Sequence, residues 1–238
     1  MTEYITNDAE LKSVADAIRA KTGKTDPLTF PTEFASEIAG IESGGTDTLE
    51  ERLSDAMTEY SNDQVTSIIQ NGMSFQTKLI SVSLPNVTDI GANAFYGCSA
   101  LKNIYFPKLT TISASSFGQC KSITEFITNE HFNSRIDTRT FEGCDSLLKA
   151  DFYHINSLGI SAYAFSCMNL ETLIFRNTDF VPNMNVNAFG AIQSKMNTGQ
   201  GYIYVYRSVI DQYKVATNWA KYADQIRAIE DYPEITGG

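Results

Sequence analysis

The sequence lacks any long apolar segment, since no stretch approaches the roughly 18 uninterrupted apolar residues of a membrane-spanning helix. Its opening residues, MTEYITNDAEL, also lack the basic patch and apolar run of a signal peptide. Positive charge is scarce, because 18 Lys and Arg face 28 Asp and Glu for a net charge of −10. An acidic chain repels nucleic-acid phosphates and anionic membrane surfaces. We therefore expect no membrane insertion, no entry into the general secretory route and no nucleic-acid partner.

Residues that carry common catalytic chemistry are equally few. The two histidines, His131 and His154, lie in different repeats with no cysteine nearby in sequence. No D-x-D-x-D-G calcium loop occurs, and GANAF and GQGY lack the spacing and the lysine of a phosphate-binding loop. We therefore expect no catalytic residues, no metal and no cofactor, and we interpret the protein as non-enzymatic.

What the sequence does contain is a repeat. The strings NAFYGCSAL, SSFGQCKSI, RTFEGCDSL, YAFSCMNL and a shortened NAFGAI have phenylalanines spaced by 22, 24, 24 and 24 residues. This period is that of a leucine-rich repeat and is too short for a repeated pair of helices. We expect one buried phenylalanine per coil, stacked as a ladder of Phe95, Phe117, Phe141, Phe165 and Phe189.

The four cysteines follow the same period. Cys98, Cys120, Cys144 and Cys167 are 22, 24 and 23 residues apart, whereas the ligands of a structural zinc site come in closely spaced pairs. This spacing favours buried thiols stacked as a second ladder. Disulfides between adjacent coils are the alternative, because stacked turns lie only about 5 Å apart.

Each repeat opens with an alternating apolar segment, in the order LISVSLP, LKNIYFP, ITEFITN, LLKADFY and LETLIFR. Alternation with β-branched and aromatic residues predicts a short strand whose first, fourth and sixth positions point inward. One coil is too small to bury its own apolar face, so stacking on its neighbours must supply the core. We expect the strands to form one parallel sheet.

The outward strand positions form a candidate binding surface on the concave side of this sheet. Exposed tyrosine and isoleucine offer apolar area to a protein or a glycan. Packing on a neighbouring subunit or on the terminal helices is the alternative, since an exposed apolar patch signals a contact without naming the partner. The candidate positions are Ser83, Asn103, Tyr105, Glu125, Ile127, Lys149, Asp151, Tyr153, Ile174 and Arg176.

The regions beside the repeats differ from them in pattern. They contain apolar residues at helical spacing, a stretch rich in Gly, Ser and Thr, and a strand-like YIYVY. The predicted fold class is a β-rich (α+β) solenoid, a leucine-rich-repeat stack with a parallel sheet and terminal caps. Its regions are an N-terminal helical module (1–41), a linker (42–48), a helix over 49–61 within an N-terminal cap (49–78), five repeats (79–192) and a strand-helix C-terminal cap (193–238).

The repeat wording, L-x-x-I-x-(L/F)-P followed by x-I-x-x-x-A/S-F-x-x-C-x-x-L, resembles the BspA-type, Treponema-like leucine-rich repeats over about half of the chain. The third repeat departs at Thr128 and Asn129, which replace the apolar-proline ending of the strand. The fifth has Ala191 and Ile192 where a cysteine is expected. The resemblance implies a recognition protein on a cell surface that binds proteins or glycans.

The flanks resemble virion proteins. LKSVADAIRAKTGKTDPLTFPTEFASEIAGI is similar to N-terminal modules on tail and other virion proteins of phages and prophages of Gram-positive bacteria, and residues 203–229 resemble closing segments of repeat proteins from the same genomes. Such a protein assembles in the host cytoplasm without a signal peptide, binds other virion proteins through its N-terminal module and forms a homo-oligomer. A tail-associated, fibre-like or decoration protein that contacts a host glycan or protein is therefore our leading hypothesis. A bacterial cell-surface adhesin or ligand-binding protein is the alternative.

Overall fold

The computed structural model describes residues 58–190 and 193–236, which wind into a solenoid of parallel strands. Parallel strands need a connection that crosses the body of the protein, so each coil leaves along one face and returns along the other. The predicted leucine-rich-repeat stack is thereby confirmed. The predicted helical module (1–41) and linker (42–48) lie outside the described residues.

The sheet face is the side of the solenoid formed by the strands that open successive coils, and the opposite side is the return face. The repeats are followed by two α-helices and two 3-10 helices. The 3-10 helices are Ala220–Gln225 and Ile229–Asp231. The sheet face comprises β1 (Glu59–Ser61), β3 (Ser81–Ser83), β5 (Asn103–Tyr105), β7 (Glu125–Ile127), β9 (Lys149–Phe152), β11 (Thr172–Phe175), β12 (Tyr202–Val205) and β13 (Ile226–Ala228). The return face carries β2 (Ser67–Ile68), β4 (Asp89–Ile90), β6 (Thr111–Ile112), β8 (Ser134–Ile136) and β10 (Ile155–Ile160), and the α-helices are α1 (Ile210–Val215) and α2 (Pro233–Thr236).

A tight turn buries the phenylalanine of each repeat. Around Phe117, the residues two before and two after, Ser115 and Gln119, have φ values of 54° and 60°. Between them the Phe117 N–H donates to the Thr140 C=O of the next coil at 3.0 Å. A left-handed non-glycine residue costs roughly 1–2 kcal/mol, and burial of a large apolar ring, worth roughly 1.5–3 kcal/mol, offsets that cost.

The buried phenylalanines stack on one another through the solenoid. Each of the five is at most 1% exposed, and Tyr222 ends the stack with its ring edge-on to the last of them at 5.0 Å. The centroid distances are 5.4 Å for Phe95 and Phe117, 5.7 Å for Phe117 and Phe141, 5.6 Å for Phe141 and Phe165, and 5.9 Å for Phe165 and Phe189.

The parallel sheet is interrupted at one coil junction, which corrects the prediction of a single sheet. At this junction, which we call the seam, β5 and β7 do not pair on the sheet face, and β6 and β8 do not pair on the return face. The departure of the third repeat lies at this junction, because Asn129 stands where a strand-ending proline was expected. Its amide donates to the C=O groups of Phe106 at 3.4 Å and Leu109 at 3.0 Å, so a side chain bridges the coils where the strands do not.

The described chain begins with a further coil of the solenoid, and the end of the predicted helix over 49–61 is a strand there. Glu59–Ser61 form β1, which pairs with β3, while residues 49–57 lie outside the described part. Met73 occupies the phenylalanine position, since its N–H donates to the Ala94 C=O of the next coil at 2.8 Å and it is 5% exposed. The repeat was missed in the sequence because methionine replaces the phenylalanine.

The C-terminal cap contains the predicted strand, β12, but the predicted continuous helix is broken. Helix α1 ends at Val215, Asn218 has a left-handed φ of 66°, and Ile226–Ala228 form β13 beside β12. Trp219 covers the last coil with its ring edge-on to Phe175 at 5.5 Å, and its Nε1 donates to the Pro182 C=O at 2.8 Å. The end of the apolar core is thereby closed.

Candidate functional site

The outward side chains of the sheet face form two rows, which the seam divides. On one side of the seam the strand pairing aligns Ser81 with Asn103 and Ser83 with Tyr105. On the other side the rows are Glu125, Lys149, Thr172 and Tyr202, and Ile127, Asp151, Ile174 and Tyr204. The structure therefore places the predicted positions on one face, as two groups.

Three large exposed side chains of the sheet face lie around the seam. Tyr105 and Ile127 are each 57% exposed, and Tyr153, which follows β9, is 45% exposed. Asn103 and Glu125 are exposed beside them, whereas Ser83 is only partly exposed. We call the five exposed residues the open surface. A cluster of large, exposed apolar side chains with polar neighbours has the composition of a protein interface.

Another part of the sheet face, around Ile174, is covered by the chain's own C-terminal residues. Ile174 was expected to be exposed, but it is 0% exposed, and its neighbour Tyr204 is 4% exposed. Both pack against Ile229, with Tyr232 and Ile235 beside it. Packing on a terminal segment, the alternative left open by the sequence, therefore describes this part of the face.

Two further candidate binding residues are joined to each other. Arg176 donates from Nε and Nη2 to the two carboxylate oxygens of Asp151, at 2.8 Å each, and this hydrogen bonding raises the pKa of Arg176. Asp151 is 4% exposed, so the pair holds the edge of the open surface in place and offers little to a ligand. Lys149 is likewise occupied, because its Nζ donates to the Ile235 C=O at 2.7 Å.

The four cysteines are free thiols beside the phenylalanine ladder, so the disulfide alternative does not describe this structure. Three of them donate to the C=O of the preceding coil's ladder residue, and Cys167 donates to Phe165 of its own coil at 3.5 Å. The three are Cys98 to Met73 at 3.0 Å, Cys120 to Phe95 at 3.1 Å and Cys144 to Phe117 at 3.0 Å. A thiol at this position therefore fills space and also satisfies a buried carbonyl.

Because the thiols are buried, we expect the free energy of unfolding to fall at alkaline pH. Burial raises the pKa of Cys98 and of Cys167 to about 12, whereas an unfolded cysteine ionises near about 8.5. The fold keeps the thiols protonated while the unfolded chain loses its protons, so the free energy of unfolding should fall between about pH 8.5 and 12, by up to about 1.4 kcal/mol per pH unit for each thiol. Urea denaturation at pH 8 and pH 10.5 measures this fall.

A variant with all four cysteines replaced by alanine is the control for that prediction. Its free energy of unfolding should fall less steeply with pH than that of the parent, because only other groups still titrate. Tyr213 and Tyr222 remain among them, since burial raises the pKa of each. Equal slopes for the two proteins would contradict the assignment to the thiols.

The described residues contain no group of three or more His, Cys, Asp and Glu that could hold a metal ion. His131 lies 3.8 Å from the Glu130 carboxylate on the surface, and His154 packs edge-on against Phe180 at 5.6 Å. Over the ranges 58–190 and 193–236, no helix has the length and apolar character to cross a membrane.

Sequence reasoning did not identify which C-terminal residues cover part of the sheet face. These residues are Ile229, Tyr232 and Ile235, a spacing of three that marks one face of a short helical segment. The sequence shows this spacing, but it does not show which residues the segment packs against. The covered residue Ile174 lies 55 positions before Ile229 in the chain.

Comparisons with known proteins find the same repeats. The model of the BspA type leucine rich repeat region matches residues 66–194 in six copies, one more than the five predicted. A search of curated proteins finds no match. A leucine rich cell surface protein from Faecalibacterium prausnitzii A2-165 is 22% identical with a TM-score of 0.48 over 62% of this chain and 38% of that one.

A leucine rich repeat protein from T. pallidum is 16% identical with a TM-score of 0.31, over 46% of this chain and 75% of that one. The chain thus spans 38% of the length of the first of these structures and 75% of the second. The family model covers more than half of the sequence, 129 of 238 residues from 66 to 194, and the protein therefore belongs to the BspA-type leucine-rich-repeat family.

Proposed function

We propose that this protein is a non-enzymatic, ligand-binding leucine-rich-repeat protein of the cell-surface class, which holds a protein or a glycan on its open surface. The observation that carries the proposal is the exposure of Tyr105, Ile127 and Tyr153 on a sheet face that the chain covers around Ile174. Buried aromatic anchors supply most of the binding energy of an interface. A sheet holds such anchors in place before the ligand arrives, which lowers the entropic cost of binding.

The neighbours of the three apolar residues suit a recognition surface. Asn103 and Glu125 are exposed beside them and offer hydrogen-bond donors and acceptors at the rim, where a ligand's polar groups need partners. Asp151 and Arg176 form an ion pair with each other within the protein. A ligand can therefore bind beside them without breaking this pair.

The virion hypothesis gains no support from the comparisons, because the family model matches residues 66–194 and neither flank. Residues 203–229, whose resemblance suggested it, belong to the strands and helices that close the apolar end, as any solenoid requires. Virion partners of the N-terminal module and a homo-oligomer remain predictions from the flanks.

Removing two aromatic rings from the open surface tests the proposal. The whole chain is applied to a printed glycan array and to a phage-displayed library of random 12-residue peptides, and the tightest ligand found is kept. We expect Tyr105→Ala with Tyr153→Ala to weaken its binding by about 100-fold, since loss of an important interface residue costs more than about 1 kcal/mol and two such losses of about 1.4 kcal/mol give this factor. Calorimetry or surface plasmon resonance measures the change.

Tyr163→Ala is the matched control, because Tyr163 is a 38% exposed tyrosine in the turn that precedes Phe165 and not on a strand of the sheet face. It should bind the ligand as the parent does. Unchanged affinity of the double variant, or binding of neither glycans nor peptides by the parent, would remove the open surface as the ligand site.

A further inference from the structure

Main-chain groups on both sides of the seam have no partner in the described protein. In a parallel sheet the N–H and C=O of alternate residues point to opposite neighbours. On β5, Asn103 N–H donates to Ile80 C=O and Tyr105 C=O accepts from Leu84 N–H, each at 3.0 Å, so both residues face β3. The residue between them, Ile104, therefore turns its N–H and C=O towards the seam.

The facing edge belongs to β7. Thr124 C=O accepts from Lys149 N–H at 3.3 Å and Thr128 N–H donates to Asp151 C=O at 2.9 Å, so these residues face β9. By the same alternation, Glu125 and Ile127 direct their main-chain groups to the seam. Within the described ranges no strand pairing joins β5 to β7, and no main-chain hydrogen bond to a residue outside the strands engages Ile104, Glu125 or Ile127.

The two edges border a cleft of about 290 Å³. Tyr105 and Ile127, the two most exposed large side chains of the open surface, stand on opposite sides of the seam. The lining residues are Lys102, Asn103 and Ile104 on one side and Thr124, Glu125 and Ile127 on the other. An occupant would therefore meet main-chain donors and acceptors together with one basic and one acidic side chain.

The cleft is a gap in the sheet and not a break in the solenoid. Behind it, Phe117 and Phe141 stack at 5.7 Å with nearly parallel rings, and Phe126 fits edge-on against both, at 5.0 Å and 4.8 Å. The coils are thus held together through the core while their strands are left unpaired. Unpaired strand edges are the structural feature to which another extended chain adds.

We propose that the seam binds an extended polypeptide segment of a partner protein, which lies along β5 and β7 and pairs its main chain with their free groups. The spacing of those groups favours a polypeptide over a glycan. Glu125 and Ile127 each direct a main-chain N–H and C=O to the seam, and the two residues are about 6.6 Å apart along the strand. An extended polypeptide repeats its main-chain groups at this interval, whereas sugar hydroxyls do not. The proposal rests on the proposed function of the open surface and names its ligand class.

Amide hydrogen exchange on the whole chain tests the free edges directly and needs no substitution. The amides of Ile104, Glu125 and Ile127 should exchange quickly in the free protein, whereas that of Asn103, which is bonded to Ile80, should exchange slowly. When the protein is saturated with a 12-residue peptide selected from the phage library, we expect exchange at one or more of the three free amides to slow by at least about 100-fold, as pairing requires.

A pair of substitutions at one position separates main-chain pairing from side-chain contact. Ile127→Pro removes an edge donor without disturbing the ladder to β9, which is where a sheet tolerates proline. Ile127→Ala removes the side chain and keeps the donor. We expect the proline variant to bind the selected peptide about 10-fold more weakly than the alanine variant, as the loss of one main-chain hydrogen bond implies.

The outcomes of these experiments fall into distinct classes. Selected peptides that bind through Tyr105 and Tyr153 without protecting any seam amide would overturn the strand-addition proposal and leave the proposed function standing. Binding of glycans alone would do the same. Slow exchange of all three amides in the free protein would show that the seam is closed and would also overturn it. Binding of neither probe would overturn both.

Discussion

Replacing Phe141 with alanine is expected to lower the free energy of unfolding by about 3–5 kcal/mol, the range found when a buried aromatic leaves a cavity. Phe141 is 0% exposed and stacks between Phe117 at 5.7 Å and Phe165 at 5.6 Å. It also meets Phe126 edge-on at 4.8 Å. With Phe152 at 6.3 Å, four rings thus lose a neighbour, and a solenoid has no second layer to fill the space.

Chemical denaturation followed by circular dichroism and by the fluorescence of Trp219, the single tryptophan, measures the loss. Phe75→Ala is the control, because Phe75 is 66% exposed and its ring contacts Tyr96 at the surface. That variant should lose no more than about 1 kcal/mol. Equal losses for the two variants would contradict a ladder that stabilises the stack.

Replacing Gly159 with alanine is expected to lower the free energy of unfolding by about 3 kcal/mol or more. Gly159 has a left-handed φ of 73°, and an added Cβ would lie 1.8 Å from the Asn183 carbonyl oxygen. That carbonyl accepts the Ile160 N–H at 2.8 Å. The substitution therefore combines an unfavourable backbone conformation with the loss of a contact between neighbouring coils.

Gly199→Ala isolates the conformational part of that effect. Gly199 has a φ of 79°, close to that of Gly159, but nothing lies within 4 Å of the position of its Cβ. We expect a loss of only roughly 1–2 kcal/mol there. Urea denaturation of the two variants side by side measures the difference, and similar losses would show that the clash with Asn183 is relieved at little cost.

The seam illustrates how far a repeat pattern reaches. The departure of Thr128 and Asn129 from the repeat was visible in the sequence, and the structure shows that Asn129 bridges to Phe106 and Leu109 at this junction. Nothing in the pattern indicated that the strand pairing would be interrupted there on both faces. Pairing depends on the spacing of two whole coils, which one substituted position does not determine.

The burial of Ile174 is a second feature that the repeat pattern did not predict. Ile174 occupies an outward position in the repeat and was therefore predicted to be exposed, as Ile127 is. Ile174 differs from Ile127 because Ile229, Tyr232 and Ile235 pack in the cluster that contains it. Outward direction is a property of the strand, whereas exposure depends on what else the chain places there.

The sequence by itself determined the coil length, the inward positions and the phenylalanine and cysteine ladders, because each of these repeats at a fixed interval and is satisfied by the neighbouring coil. Tertiary structure alone decided which outward residues meet solvent and where the sheet opens. Lys149 and Ile235, for example, meet across 86 residues of chain. Such contacts have no period, so no pattern of apolar residues predicts them, and they leave Tyr105, Ile127 and Tyr153 exposed on the sheet face.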